Sequence, residues 1–142
     1  MMGRTVWLYL RKIIEKTTIM TTSEVAEKLV SLCREGKYDE AYDLYADDAI
    51  SVEMPGMPGD EVTTGKRNII NAYKEWENTI EEMHGGTVGD PVVAANHFVV
   101  PMSMDATFKG QGRWAMEELC MYQVEDGKIQ KVQYFYEVPS MG

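Results

Sequence analysis

Apolar positions recur at helical spacing through the first half of the chain and switch to strict alternation in the second. Val25, Leu29, Leu32 and Cys33, widened by Ala26 and Val30, mark one face of a helix over residues 24–35. Thr21 and Glu24 stand at capping-box spacing before it, and Gly36 ends it. A shorter helix opens at Lys37, with Tyr38, Ala41, Tyr42 and Tyr45 on one face and Asp47-Asp48 as its stop. Residues 49–53 read as a short strand with Ile50 and Val52 in phase. Residues 54–61, MPGMPGDE, contain two Pro-Gly pairs, which exclude helix and central strand. Their methionines either close over a cavity or belong to a plain solvent loop. From Lys66 to Met83, the residues Ile69, Tyr73, Trp76, Ile80 and Met83 predict a long helix. Gly85-Gly86 then releases the chain into a strand over residues 87–94, and Ala95-Asn96 turns it back.

Alternation governs the rest. Phe98, Val100, Met102, Met104, Ala106 and Phe108 share one face; Val99, Ser103, Asp105 and Thr107 share the other. Lys109 to Gly112 is a turn. The stretch from Arg113 to Val138 follows as two long strands, RWAMEELCMYQV and KIQKVQYFYEV, joined through Asp126-Gly127. That pair predicts a two-residue type I′ turn, which needs positive φ at both central positions. Helices gathered before a four-strand meander indicate an α+β domain. Strands of eleven or twelve residues exceed the usual length of about five or six, so the sheet must curl strongly. The expected fold is a strongly curved antiparallel β-sheet closed by three N-terminal helices, a cone-shaped α+β barrel around a cavity.

The first nineteen residues stand apart. Val6, Trp7, Leu10, Ile13 and Ile14 fall on one helical face, with Arg11, Lys12, Glu15 and Lys16 beside them. Residues 1–19 carry a net +3, so a total of −9 leaves −12 on the remainder. The segment reads as an accessory helix, an extension upstream of the true start, or a basic membrane-surface helix. We treat residues 1–19 as an N-terminal extension and residues 20–142 as the domain, because Met20-Thr21-Thr22-Ser23 resembles a natural beginning. The overall acidity argues against a nucleic acid or an anionic membrane as partner. Nothing reaches the length of a membrane span. Cys33 and Cys120 lack a metal-like spacing and read as buried free thiols, in keeping with a cytoplasmic protein. His84 and His97 are solitary, so no metal or other cofactor is expected.

The candidate chemistry lies in the penultimate strand. Trp114, Met116, Cys120, Tyr122 and Val124 share one phase, and Glu118 sits in the middle of it. A carboxyl enclosed by apolar and aromatic groups is raised toward neutrality, where it both takes and gives a proton. Val132, Tyr134 and Tyr136 continue the same face on the last strand, with the tyrosines placed to orient a ligand oxygen. Tyr45 and Trp76 would wall the cavity from the helix side. Two plainer arrangements compete: Glu118 paired with Arg113 or Lys131, or a reversed phase that turns Glu117 inward. Asp105 and His97 fit an ordinary solvated face and an ordinary strand end. Glu53 is a second candidate acid if the strand slips by one residue.

Four segments together resemble the SnoaL-like branch of the nuclear transport factor 2-like superfamily, which also contains ketosteroid isomerase. They are LCREGKYDEAYDLYADDA, the loop ending TGKRNIINAY, NHFVVPMSMDATFKGQG, and EELCMYQVEDGKIQKVQYFYE. The resemblance implies the cone fold, a small apolar or aromatic ligand, and homodimers paired through the outer sheet face. It does not carry over the isomerase residues. The positions of its tyrosine, its base and its protonated aspartate fall on Leu29, on Met54 beside Glu53, and on Cys120. SnoaL-type cyclases close a ring by an aldol step with a pocket carboxylate, and Glu118 is the nearest such group here. The function classes left open are an acid–base isomerase, cyclase or hydrolase, a non-catalytic binding protein, and a dimerisation domain.

Overall fold

The computed structural model describes residues 3–139, and of residues 12–18 the backbone only. Helix α1 spans Arg4–Thr18. Its Trp7 and Tyr9 are 59% and 66% exposed; the side chains of Ile13 and Ile14, assigned to its apolar face, lie outside the described residues. Helix α2 (Thr22–Arg34) starts on the expected capping box. The Thr21 N–H donates to Glu24 Oε1 and the Glu24 N–H donates to Thr21 Oγ1, both at 3.2 Å. Its buried stripe is Val25, Ala26, Leu29, Val30 and Cys33, as the spacing required. Helix α3 (Tyr38–Ala41) is a single turn, followed by a 3-10 turn over Tyr42–Leu44.

One sheet of seven strands makes up the rest: β1 (Tyr45–Val52), β2 (Val62–Thr64), β3 (Ile80–Val88), β4 (Val92–Ala94), β5 (His97–Phe108), β6 (Gly112–Glu125) and β7 (Lys128–Tyr136). The strand order is β2-β1-β7-β6-β5-β3, and β4 pairs with β5 off that path. Helix α4 (Lys66–Glu77) packs against β1 and β2. The sheet is curved and does not close on itself, and register shifts in the β3–β5, β6–β7 and β1–β7 pairs are where such long strands gain extra twist. Its inner face carries Phe98, Val100, Cys120, Tyr122, Val124, Ile129 and Val132, which form one core with α2.

Several expectations need correction. The helix predicted to Met83 ends at Glu77, because Thr79 turns back on it: its N–H and its hydroxyl both donate to the Trp76 carbonyl, at 2.9 and 2.6 Å. Ile80 and Met83 then enter β3, where β5 supplies their backbone partners. The strand expected at 87–94 is two strands, interrupted before Pro91. The meander is larger than four strands, and it is not wholly antiparallel: β1 runs parallel to β7 after a crossover through α4 and the other strands. The short helix stops at Ala41, so Tyr45 opens a strand. Within β1 the phase is also reversed, with Ala49 and Ser51 buried and Ile50 and Val52 only partly so.

The β6–β7 turn took its predicted form, with φ of +49° at Asp126 and +75° at Gly127. Gly127 is constrained twice, since a Cβ there would meet Ile19 Cγ2 at 2.8 Å and the Met20 backbone at 3.1 Å. The turn therefore seats on the start of the domain. Gly110, at φ +74° with open space around it, isolates the conformational part. Gly110→Ala should cost about 1 kcal/mol in urea denaturation, and Gly127→Ala about 2–3 kcal/mol. Equal losses would show that the contact with Ile19 and Met20 contributes nothing.

Candidate functional site

The β5–β6–β7 ladder sets which side chains meet. Met102, Glu118 and Tyr136 lie in register across the three strands; so do Val100, Cys120 and Tyr134, and Phe98, Tyr122 and Val132. All nine are on the inner phase. On β6, Trp114, Met116 and Glu118 are partly buried and Cys120, Tyr122 and Val124 fully, while Ala115, Glu117 and Leu119 are exposed. Glu118, not Glu117, therefore faces inward, and the row divides into a packed floor and a more open end.

The floor is solid. Tyr45, Cys120, Tyr122 and Val132 are at most 4% exposed. The Tyr122 hydroxyl lies within hydrogen-bonding reach of Tyr45 and of the Cys120 thiol. Burial pushes the ionisation of Tyr45, Tyr122, Tyr134 and Cys120 well above its ordinary range, so these groups stay neutral. The open end holds Trp76, Trp114, Met116, Glu118 and Tyr136, all partly buried. Rings run around it from Tyr42 and Tyr73 through Trp76, Phe108 and Trp114 to Tyr136, with neighbouring centroids 5.8–6.2 Å apart. Tyr42, Tyr73, Phe108 and Met102 join this wall although the pattern had not singled them out as site residues. For Tyr42 and Tyr73 the available signal was the helical stripe; for Met102 and Phe108 it was the inner phase of β5.

Glu118 is pushed up to about 7, chiefly by burial; a hydrogen bond with the Cys120 thiol pulls the other way, and the negative charge of Glu53 adds to the rise. Arg113, a suggested partner, is instead bound to Asp105 through two hydrogen bonds of 2.9 and 2.8 Å. Asp105 thereby belongs to an ion pair on the outer phase, and His97 bonds Asn96 at the strand start at 2.8 Å. Glu53 reaches the inner side without any slippage, because it continues the phase of Ala49 and Ser51. Its Oε2 accepts the Tyr136 hydroxyl at 2.8 Å.

Two open depressions are present among the described residues, neither bordered by Glu118. One, of about 870 Å³, is bordered by Thr87, Ser103, Asp105, Glu117 and Glu137 together with Trp114 and Met116; the other, of about 580 Å³, lies between α2 and Asp90-Pro91. Among the described residues no cluster of three or more histidine, cysteine or acidic groups could hold a metal ion, and no helix is long and apolar enough to cross a membrane.

Comparison with known proteins agrees with this geometry. The family model of the SnoaL-like domain matches residues 20–136. A crystal structure from Mesorhizobium loti, provisionally assigned as a SnoaL-like polyketide cyclase with carbohydrate phosphatase given beside it, is 33% identical. The match covers 82% of this chain and 100% of that one, with a TM-score of 0.76. A nuclear transport factor 2-like protein from Burkholderia thailandensis is 13% identical over 84% of this chain and 92% of its own, with a TM-score of 0.73. A protein of ketosteroid isomerase-like fold from Catenulispora acidiphila, solved with trimethylamine, is 19% identical over 83% and 88%, with a TM-score of 0.64. No curated protein matches the chain. With the family model spanning most of its length and a relative one-third identical along the whole of that relative, this chain belongs to the SnoaL-like family.

Proposed function

We propose that the protein binds a small apolar or aromatic molecule at the open end of the cone and moves a proton on it with Glu118. The observation that carries this reading is a carboxyl on the inner sheet face, raised to about 7 by burial, in register with Met102 and Tyr136 and on the same phase of β6 as Trp114 and Met116. Near neutral pH such a group is present in both forms, so it serves as base and as acid within one cycle. In an isomerisation its carboxylate takes a proton from carbon, the electron pair passes to an adjacent carbonyl, and the proton returns at another carbon. In a ring closure the proton goes to the new alkoxide instead. The provisional assignment of the Mesorhizobium loti relative as a cyclase supports the same class. The two free, buried cysteines suit a cytoplasmic location.

A second reading rests on the outer face. Leu119 and Phe135 are register partners there, 49% and 41% exposed, with Pro101 next in the row. A homodimer covering this patch, with no chemistry inside, is the alternative function.

The elimination of 5-nitrobenzisoxazole, an apolar aromatic that loses a carbon-bound proton as its N–O bond breaks, probes the first reading without a known substrate. Its rate should rise with pH through a midpoint near 7. Glu118→Gln should lower it by about 100-fold or more, while a neutral apolar dye still binds. Undiminished elimination in that variant rejects proton transfer by Glu118.

Stability offers an independent check. The raised group binds a proton in the fold that the unfolded chain has released, so its stabilisation is complete below about pH 4.5 and lost as pH rises to about 7. Relative to Glu118→Gln, the wild type should lose about 3 kcal/mol between pH 4.5 and 8 in denaturant titrations. Parallel curves for the two proteins would mean that Glu118 titrates normally.

A further inference from the structure

Tyr136 stands directly across the ladder from Glu118, and its hydroxyl donates to Glu53, 83 residues earlier in the chain. This bond ties the last strand to the segment leaving β1. Glu53 is fixed from its backbone as well, since its N–H donates to the Glu61 carbonyl at 2.8 Å. The Tyr136 ring is held on its other side by Trp114, edge-on at 6.2 Å. The two carboxyls are then unequal in their surroundings. Glu53 receives the phenolic proton, a strong donor to a charged acceptor. Among the described residues no hydroxyl or charged donor bonds Glu118, and the neighbouring Cys120 thiol is a weak one. Like charges disfavour joint ionisation, so a carboxyl held on this face bears on the proton of Glu118.

We propose that Glu53 and Tyr136 are positioning residues for Glu118: their hydrogen bond holds a second carboxyl on the inner face that Glu118 occupies and so governs its proton exchange. The inference rests on reading Glu118 as the proton-transfer group, and it adds what sets the pH window of that transfer. The titratable groups acting on Glu118 are Cys120 on its own strand and Glu53 beyond β1, while Glu118 itself acts on Tyr134 and Tyr136 of β7. From β5 it meets Met102, which carries no charge.

The test is a carbon-13 NMR titration of the full chain labelled at glutamate carboxyls, with the Glu118 signal identified by its loss in Glu118→Gln. Glu53→Gln should lower the Glu118 midpoint by about one pH unit, and the pH–rate midpoint for 5-nitrobenzisoxazole should move with it. Tyr136→Phe, which leaves the charge but frees it, should lower the midpoint by less. Glu53→Asp should restore part of the wild-type value. Glu117→Gln, on the exposed face of the same strand, should change nothing. An unmoved midpoint in Glu53→Gln or in Tyr136→Phe overturns the proposal, as does an equal shift in Glu117→Gln. If the midpoint moves as expected while elimination survives in Glu118→Gln, the positioning relation stands and proton transfer by Glu118 falls.

Discussion

The pairing of β5 with β6, continuous over twelve residue partners from His97–Gln123 to Phe108–Gly112, is the constraint on which the rest of the molecule depends. Side chains alternate faces along a strand, so a ladder of this length commits both strands to one phase throughout. A slip of one residue would place Val100, Cys120 and Tyr122 in water and draw Ser103, Glu117 and Arg113 into the core. Burying those charged groups would cost far more than any local adjustment could recover. The bend of the sheet then turns the committed face into the inside of the cone.

The same phase explains why the candidate acid and the packed core share a strand. At the packed end the inner row is Cys120, Tyr122 and Val124, and it supports α2. At the other end the row continues as Trp114, Met116 and Glu118, which are only partly buried. A carboxyl at that boundary is dry enough to resist ionisation and still partly accessible. The aromatic arc extends the boundary from the helices to β7, and the Tyr136–Glu53 bond anchors its far end.

The N-terminal part serves this arrangement in a simpler way. The capping box fixes where α2 begins, and the β6–β7 turn rests on Ile19 and Met20 just before it. The carbonyl of Asp43 accepts from Lys128 Nζ at 3.0 Å, and Asp48 accepts from Gln130 at 3.0 Å, which helps hold β1 alongside β7. Through that parallel pair Glu53 is delivered to the site.

Local chemistry alone determined a good deal. The capping box, the Asp126-Gly127 turn, the stripe of α2 and the alternation of β5 to β7 were all readable, because each depends on neighbours within a few residues or on a single repeating period; which phase of β6 turns inward was left between Glu118 and Glu117 until the sheet placed it. Only tertiary structure decided the rest. Ile80 and Met83 suit helical spacing and strand pairing alike, and the backbone partners on β5 settled the choice. Ile50 and Val52 are more apolar than Ala49 and Ser51, yet the small pair is the buried one, in a strand whose register is held by β2 on one side and β7 on the other. Glu53 and Tyr136 are far apart along the chain, and no pattern links them. Their contact exists because a parallel strand pair, made possible by a long crossover, brings one beside the other.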